Sequence, residues 1–254
     1  RRLQYAVHQP LSVGSSWPNA SNTGLRVSTT RSMAGPSLVT IADLSSNGFI
    51  VGSGTRIDPY LIDRVLFTDE IVLGDGSVSD LTGKWIKFTN CRFYGNPGNP
   101  TPGTSRCLLA NPSAANFIIE DSTIGPNARL EPTGGTDPAI GGCDKGVMSY
   151  VPFEIRRCDI FGNNVQIGME LDSDVTVYTI IQDNYCHDTW SSVGDHTDII
   201  NGNFHASRVK ILHNYLDGYR TGNSYVTNGI GWYDDPAGAT GVWQDLTIDY
   251  NYFD

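Results

Sequence analysis

A single solenoid of parallel β-strands, an all-β right-handed parallel β-helix of about seven or more coils with an N-terminal cap, is the fold the 254 residues predict. Three observations predict it. An eight-residue core recurs seven times, its apolar positions alternate as in a strand, and one column of the repeat fills with asparagine toward the C-terminus.

The cores begin at Tyr60 (YLIDRVLF), Ile86 (IKFTNCRF), Phe117 (FIIEDSTI), Phe153 (FEIRRCDI), Thr179 (TIIQDNYC), Val209 (VKILHNYL) and Leu246 (LTIDYNYF). The first and last starts lie 186 residues apart, a mean step of 31, with single steps from 26 to 37. That period belongs to solenoids, and its variation is what loops of unequal length leaving each coil produce. Within a core, apolar or small residues stand at the first, third, sixth and eighth positions, which reads as strand, corner, strand. Val, Ile, Phe, Tyr and Thr dominate, and they favour strands over helix.

The sixth position reads Val65, Cys91, Ser122, Cys158, Asn184, Asn214 and Asn251. Stacked amides can hydrogen-bond from coil to coil, at a turn expected to need a residue that tolerates left-handed backbone. A structural ladder is therefore expected of the three asparagines. At a strand spacing of roughly 4.8 Å, seven coils make a rod about 34 Å tall. Residues 1–59 are expected to supply an N-terminal cap and first irregular coils, because a solenoid needs protected ends. Within them SSWPNASNTG is turn-rich, and Leu38 to Leu44 and Gly48 to Val51 are expected as short strands. Residues 60–254 form the β-helix, which is expected to continue past Asp254.

Composition agrees. Gly (28) and Pro (13) supply turns, charged residues make up only 17%, and no apolar run reaches the roughly 18 residues a membrane helix needs. No membrane insertion is expected. A formal net charge of −10 argues against a nucleic-acid partner, which would call for a basic footprint. None of the five cysteines forms the C-x-x-C pair of a zinc site, so buried thiols are expected, with a Cys107–Cys143 disulfide as the alternative.

These coils resemble the right-handed parallel β-helix superfamily that contains pectate lyases, polygalacturonases and phage tailspikes, over roughly residues 55–254. WPNASNTG, followed by YLIDRVLF, further resembles β-helix proteins of actinobacteria and their tailed phages, often described as minor tail proteins. The resemblance implies a virion-tail or extracellular protein that meets host cell-surface polysaccharide, other tail proteins as partners, and the homotrimer of tailspikes as one assembly to consider.

Polar and ionisable residues are densest in CHDTWSSVGDHTDIIN, residues 186–201. Glycoside hydrolysis needs two carboxyl groups, one protonated to donate to the leaving oxygen and one to activate water or attack the sugar. Asp195, His196, Asp198 and Asp235 are the expected catalytic set. In an extended segment His196, Asp198 and Ile200 would share a face. His187, Asp188, Trp190, His205, Trp232, Tyr233 and Asp234 are the expected substrate-binding residues, the aromatics because their faces stack on sugar rings. HTDIIN and YDDP are similar to the NTDGxD motif and paired aspartates of polygalacturonases, and Arg208-Val209-Lys210 is similar to their R-x-K element. This chain departs from that pattern in lacking G-H-G and in placing Arg-x-Lys before the aspartate pair.

A lyase would need a base and a cation, and calcium would have to bridge a polyuronate to so acidic a surface. Hydrolysis needs no cofactor. Beside both stands the plainer alternative that each His and Asp is a turn or surface residue. A secreted polysaccharide-degrading enzyme and a non-enzymatic virion component or adhesin are the rival functions.

Overall fold

The computed structural model describes residues 16–95, 106–126, 143–171, 175–189, 197–203, 207–218, 226–233 and 245–254. Three parallel sheets run the length of the rod, one of eight strands and two of seven. Strands β1 (Arg31–Met33) and β2 (Ser37–Leu38) begin the stack, and helix α1 (Ile41–Ser46) follows. The coils are then β3 (Tyr60–Asp63), β4 (Val65–Phe67) and β5 (Ile71–Leu73); β6 (Trp85–Thr89), β7 (Arg92–Phe93) and β8 (Arg106–Ala110); β9 (Asn116–Glu120), β10 (Thr123–Ile124) and β11 (Lys145–Ser149). The fourth to sixth are β12 (Phe153–Arg156), β13 (Asp159–Phe161) and β14 (Val165–Met169); β15 (Thr179–Gln182), β16 (Tyr185–His187) and β17 (Thr197–Asn203); β18 (Val209–Leu212), β19 (Tyr215–Leu216) and β20 (Val226–Tyr233). Strands β21 (Leu246–Asp249) and β22 (Tyr252–Phe253) start a seventh.

Each coil gives one strand to each sheet. Sheet 1 stacks β1, β4, β7, β10, β13, β16, β19 and β22; sheet 2 stacks β2, β5, β8, β11, β14, β17 and β20; sheet 3 stacks β3, β6, β9, β12, β15, β18 and β21. The chain is thus a parallel β-helix, and every one of the seven cores is a sheet 3 strand, a corner and a sheet 1 strand.

Like stacks on like because the register is kept. Ile62, Phe88, Ile119, Ile155, Ile181 and Ile211 form one buried column. Phe117 and Phe153 lie face to face, with centroids 5.3 Å apart. Burying a side chain of this size is worth roughly 1.5–3 kcal/mol, so the repeated column is a principal source of stability.

The corner corrects one expectation. Left-handed backbone falls on the fifth core position, at Arg64, Asn90, Asp121, Arg157, Asp183, His213 and Tyr250, all with φ between 48° and 58°. The asparagines stand one residue later. The left-handed residue turns the chain, and the next side chain then points into the corner. There the Asn184 backbone N–H and Nδ2 both donate to Asn214 Oδ1, at 3.0 and 2.9 Å, and Asn214 makes the same pair of bonds to Asn251. Asn184 Oδ1 accepts from the Cys158 N–H, and Ser122 Oγ accepts from the Cys91 N–H.

The N-terminal region also differs from expectation. Only Leu38 of the segment Leu38 to Leu44 ends a strand. Thr40 and Asp43 instead form a capping box, Asp43 N–H donating to Thr40 Oγ1 at 3.2 Å and Thr40 N–H to Asp43 Oδ2 at 2.7 Å, which starts α1. No strand is assigned at Gly48 to Val51. Residues 17–30 run as a strap along the left-handed corner, crossing nearly the whole stack. Trp17 stacks on His213 at 4.8 Å, the Gly24 N–H donates to the Arg157 carbonyl, Arg26 pairs with Asp121, and the Thr30 N–H donates to the Arg64 carbonyl.

Sheet 3 carries an ion network on its outer face. Glu154 is buried and bound by both Arg56 and Arg156, while Arg157 bridges Glu120 and Asp121. Guanidinium groups meet these carboxylates at hydrogen-bond distance, the geometry of charge-assisted bonds. At Asp121 burial alone would raise the carboxyl's pKa, but Arg157 and Arg26 together hold it below the usual range.

Candidate functional site

The outward positions of sheet 1 form two adjacent columns toward the C-terminal end. One reads Asp159, Tyr185, Tyr215 and Tyr252 in register. The other continues from Phe161 through His187 to Asp217 and Asp254, the Asp217 N–H donating to the Cys186 carbonyl and the Asp254 N–H to that of Leu216. Strand alternation puts both columns on one face, while Ile160, Cys186 and Leu216 point into the core.

The tyrosines form a ladder. Ring centroids are 5.4 Å apart between Tyr185 and Tyr215, and 4.9 Å between Tyr215 and Tyr252. Trp17, from the strap, lies 5.7 Å from Tyr252 at a tilt of 45°. Tyr252 and Trp17 are exposed. The Tyr215 hydroxyl donates to Asp254 Oδ2 at 2.8 Å, a bond that, with burial, pushes its pKa up to about 12 and keeps it protonated.

Below the ladder sits a charge cluster. His187 Nε2 meets Asp159 Oδ1 at 2.8 Å and Nδ1 meets Asp188 Oδ2 at 2.7 Å, so the imidazole bridges two carboxylates. Its ring stacks on Tyr185 at 4.1 Å and lies 5.4 Å from Phe161. Burial of the ring disfavours the imidazolium, but the hydrogen bonds and charges of Asp159 and Asp188 outweigh it and raise the pKa above 6.5. Gln166 Nε2 donates to the His187 carbonyl at 3.1 Å and fixes the backbone beneath.

His187 and Asp188 are therefore brought together, with Asp159 as a third member. Asp198 lies elsewhere. It belongs to β17 of sheet 2, so a corner of the coil separates it from the His187 pair on sheet 1, although the two are only eleven residues apart in sequence. Asp198 is 1% exposed, and Asn201 Nδ2 donates to its Oδ2 at 3.1 Å. Against β20 the register shifts between Thr197 and Asp198, the extra residue being Thr227 of β20, while against β14 Asp198 and Ile200 stay in register with Val165 and Ile167. The Asp198 carboxylate lies beside Asn201 and Gly231, while Ile200 packs into the core.

Asp195, His196, Asp235, Trp190, His205 and Asp234 lie outside the described residues. Trp232 and Tyr233 end β20, their backbones paired with Gly202 and Asn203. Arg208 immediately precedes β18 and Lys210 lies within it on sheet 3, and both cations sit over the Tyr178 ring, at 5.9 and 4.2 Å. That packing gives the R-x-K triplet a structural role away from the sheet 1 face. Among the described residues no group of three His, Cys, Asp or Glu side chains is placed to hold a metal ion, and no helix is long and apolar enough to cross a membrane.

Sequence reasoning passed over Asp159, Tyr185, Tyr215 and Tyr252. The signal was present in the seventh core position, which reads Leu66, Arg92, Thr123, Asp159, Tyr185, Tyr215 and Tyr252. That column turns aromatic in the same coils in which its neighbour turns to asparagine. Comparison with known proteins adds no further identity: the chain matches no family model, no curated protein and no solved structure.

Proposed function

We propose that this β-helix binds an uncharged polysaccharide, lying along the rod on the outer face of sheet 1, as a phage-tail or other surface-associated recognition protein. The observation that carries the proposal is the tyrosine ladder. Three rings follow one another at 4.9–5.4 Å, close to the strand spacing, so a chain of sugar rings lying along the rod meets a tyrosine at each rung. Asp159, Asp188, Asp217 and Asp254 border the ladder and offer acceptors for sugar hydroxyls, while their charge, with the net −10 of the chain, disfavours polyuronates. The phage-tail setting rests on the sequence resemblance alone.

Binding without cleavage is the version this face supports. In a two-carboxylate hydrolase a gap between the carboxyl groups holds water or sugar. Here the His187 ring fills the space between Asp159 and Asp188.

Titrating the protein with neutral and uronic-acid-containing envelope polysaccharides, by calorimetry and by assay of reducing ends and unsaturated products, tests the proposal. Neutral glycan binds without products, and Tyr215→Ala weakens it about tenfold, equivalent to roughly 1.4 kcal/mol. Equal affinity of Tyr215→Ala and the parent protein removes the ladder as the site. New reducing ends replace the binding-only version with a hydrolase.

A further inference from the structure

We infer that Cys107 and Cys143 are a cross-linking site, joined by a disulfide that staples the second coil to the third when the chain folds in an oxidising setting. The inference is independent of the carbohydrate proposal. Cys107 lies in β8, and Cys143 lies two residues before β11, the strand paired directly with β8. Their sulfurs are 3.7 Å apart and both residues are fully buried. A bonded pair needs about 2.05 Å, a change within reach of small side-chain rotations once neighbouring coils have set the backbones.

The surroundings are shaped around the pair. Gly95, at φ +66°, passes so close that a Cβ there would overlap the Cys143 sulfur and stand 3.0 Å from that of Cys107. Glycine is therefore required where the backbone closes over the two sulfurs. Cys107 and Cys143 also reach Asn163 Oδ1 and the Tyr94 carbonyl, at 3.8 and 3.7 Å, and Cys91 and Cys158 each point at two backbone carbonyls, of Ile62 and Thr89 and of Ile119 and Arg156 respectively. Cys186 is buried beneath sheet 1, its pKa pushed well up by burial.

The chemistry balances through exchange with a low-molecular-weight disulfide. One cysteine thiolate attacks the reagent's S–S bond, forming a mixed disulfide and releasing one reagent thiol. The second cysteine thiolate then displaces the other reagent thiol, so two protein S–H bonds are lost, one S–S bond forms, and the reagent is reduced to two thiols. In the folded rod the Cys107 thiol is held well above its ordinary pKa by its neighbour Cys143 and by burial, so thiolate is scarce and the reagent has no access. The step consequently belongs to the folding chain, as β8 and β11 pair and before the site is closed to the reagent.

The full chain is refolded either with mixtures of oxidised and reduced glutathione or with a thiol reductant alone, then denatured in iodoacetamide and weighed. After oxidative refolding three of the five cysteines take the label, and a non-reducing peptide map shows Cys107 joined to Cys143. After reductive refolding all five are labelled, and the melting temperature is lower by roughly 5–8 °C. The Cys107→Ala/Cys143→Ala double variant shows three labels and the same melting temperature under both regimes. Five labels at every glutathione ratio, or a link through Cys91, Cys158 or Cys186, overturns the inference, and both results are read on the unaltered chain.

Discussion

Replacing Asn214 by alanine probes the corner ladder at its centre. Asn214 is fully buried, and its side chain accepts from the Asn184 N–H and Nδ2 and donates to the Ile181 carbonyl, at 3.0 Å, and to Asn251 Oδ1. Alanine removes all four bonds. The Asn184 amide and the Ile181 carbonyl each lose a partner in a place closed to water, at about 1–3 kcal/mol for each group left unsatisfied. The total is on the order of 2–6 kcal/mol. For a chain of this length the entropy of melting is about 0.5 kcal/mol per degree, which turns that loss into a fall of about 4–12 °C. Scanning calorimetry measures it directly. Asn214→Ser should lie between the alanine variant and the parent, because Ser122 fills the same column and its hydroxyl accepts the N–H of the preceding coil at 3.0 Å. A shift below about 2 °C for Asn214→Ala, or a serine variant no better than the alanine one, would refute the claim that the amides hold adjacent corners together.

The His187 bridge makes stability depend on pH. Its folded pKa is raised above 6.5, so its contribution is complete below about pH 6.5 and is lost as pH rises through the folded value, and His187→Gln should flatten the melting temperature over that window. A parent protein whose stability does not fall there would contradict the bridge. Trp17→Ala removes the stack on His213 and should free the strap at a loss of roughly 0.5–1.5 kcal/mol. Limited proteolysis should then cut within 16–30 sooner than in the parent, and unchanged cleavage would count against the strap. Gly231→Ala places a methyl group 2.9–3.0 Å from the Asp198 carboxylate and should destabilise by about 1–3 kcal/mol, a loss that urea unfolding reads and that Asp198→Ala should relieve in the double variant.

The coil was legible in the residues alone. The apolar positions of the seven cores identified the strands of sheets 3 and 1 and the break between them, because side chains facing a common interior must repeat whenever the backbone does. The sequence also identified the asparagine ladder, since an amide buried at a corner has to find its partner in the next coil. The left-handed residue escaped it, because that position varies freely among Arg, Asn, Asp, His and Tyr. Its side chain faces outward, and only its backbone is constrained.

The composition of the face was decided by tertiary structure. His187, Asp188 and Asp198 are close along the chain, yet the corner between sheets 1 and 2 sends them to different walls. Asp159 meets His187 from 28 residues away, and Trp17 reaches Tyr252 from the opposite end of the chain. Neighbourhood on a solenoid is set by register between coils and by the path of a strap over them. Both depend on how the coils stack: the aligned cores record the register within sheets 3 and 1, but no local pattern of residues records the strap's path or the corner that turns Asp198 onto sheet 2.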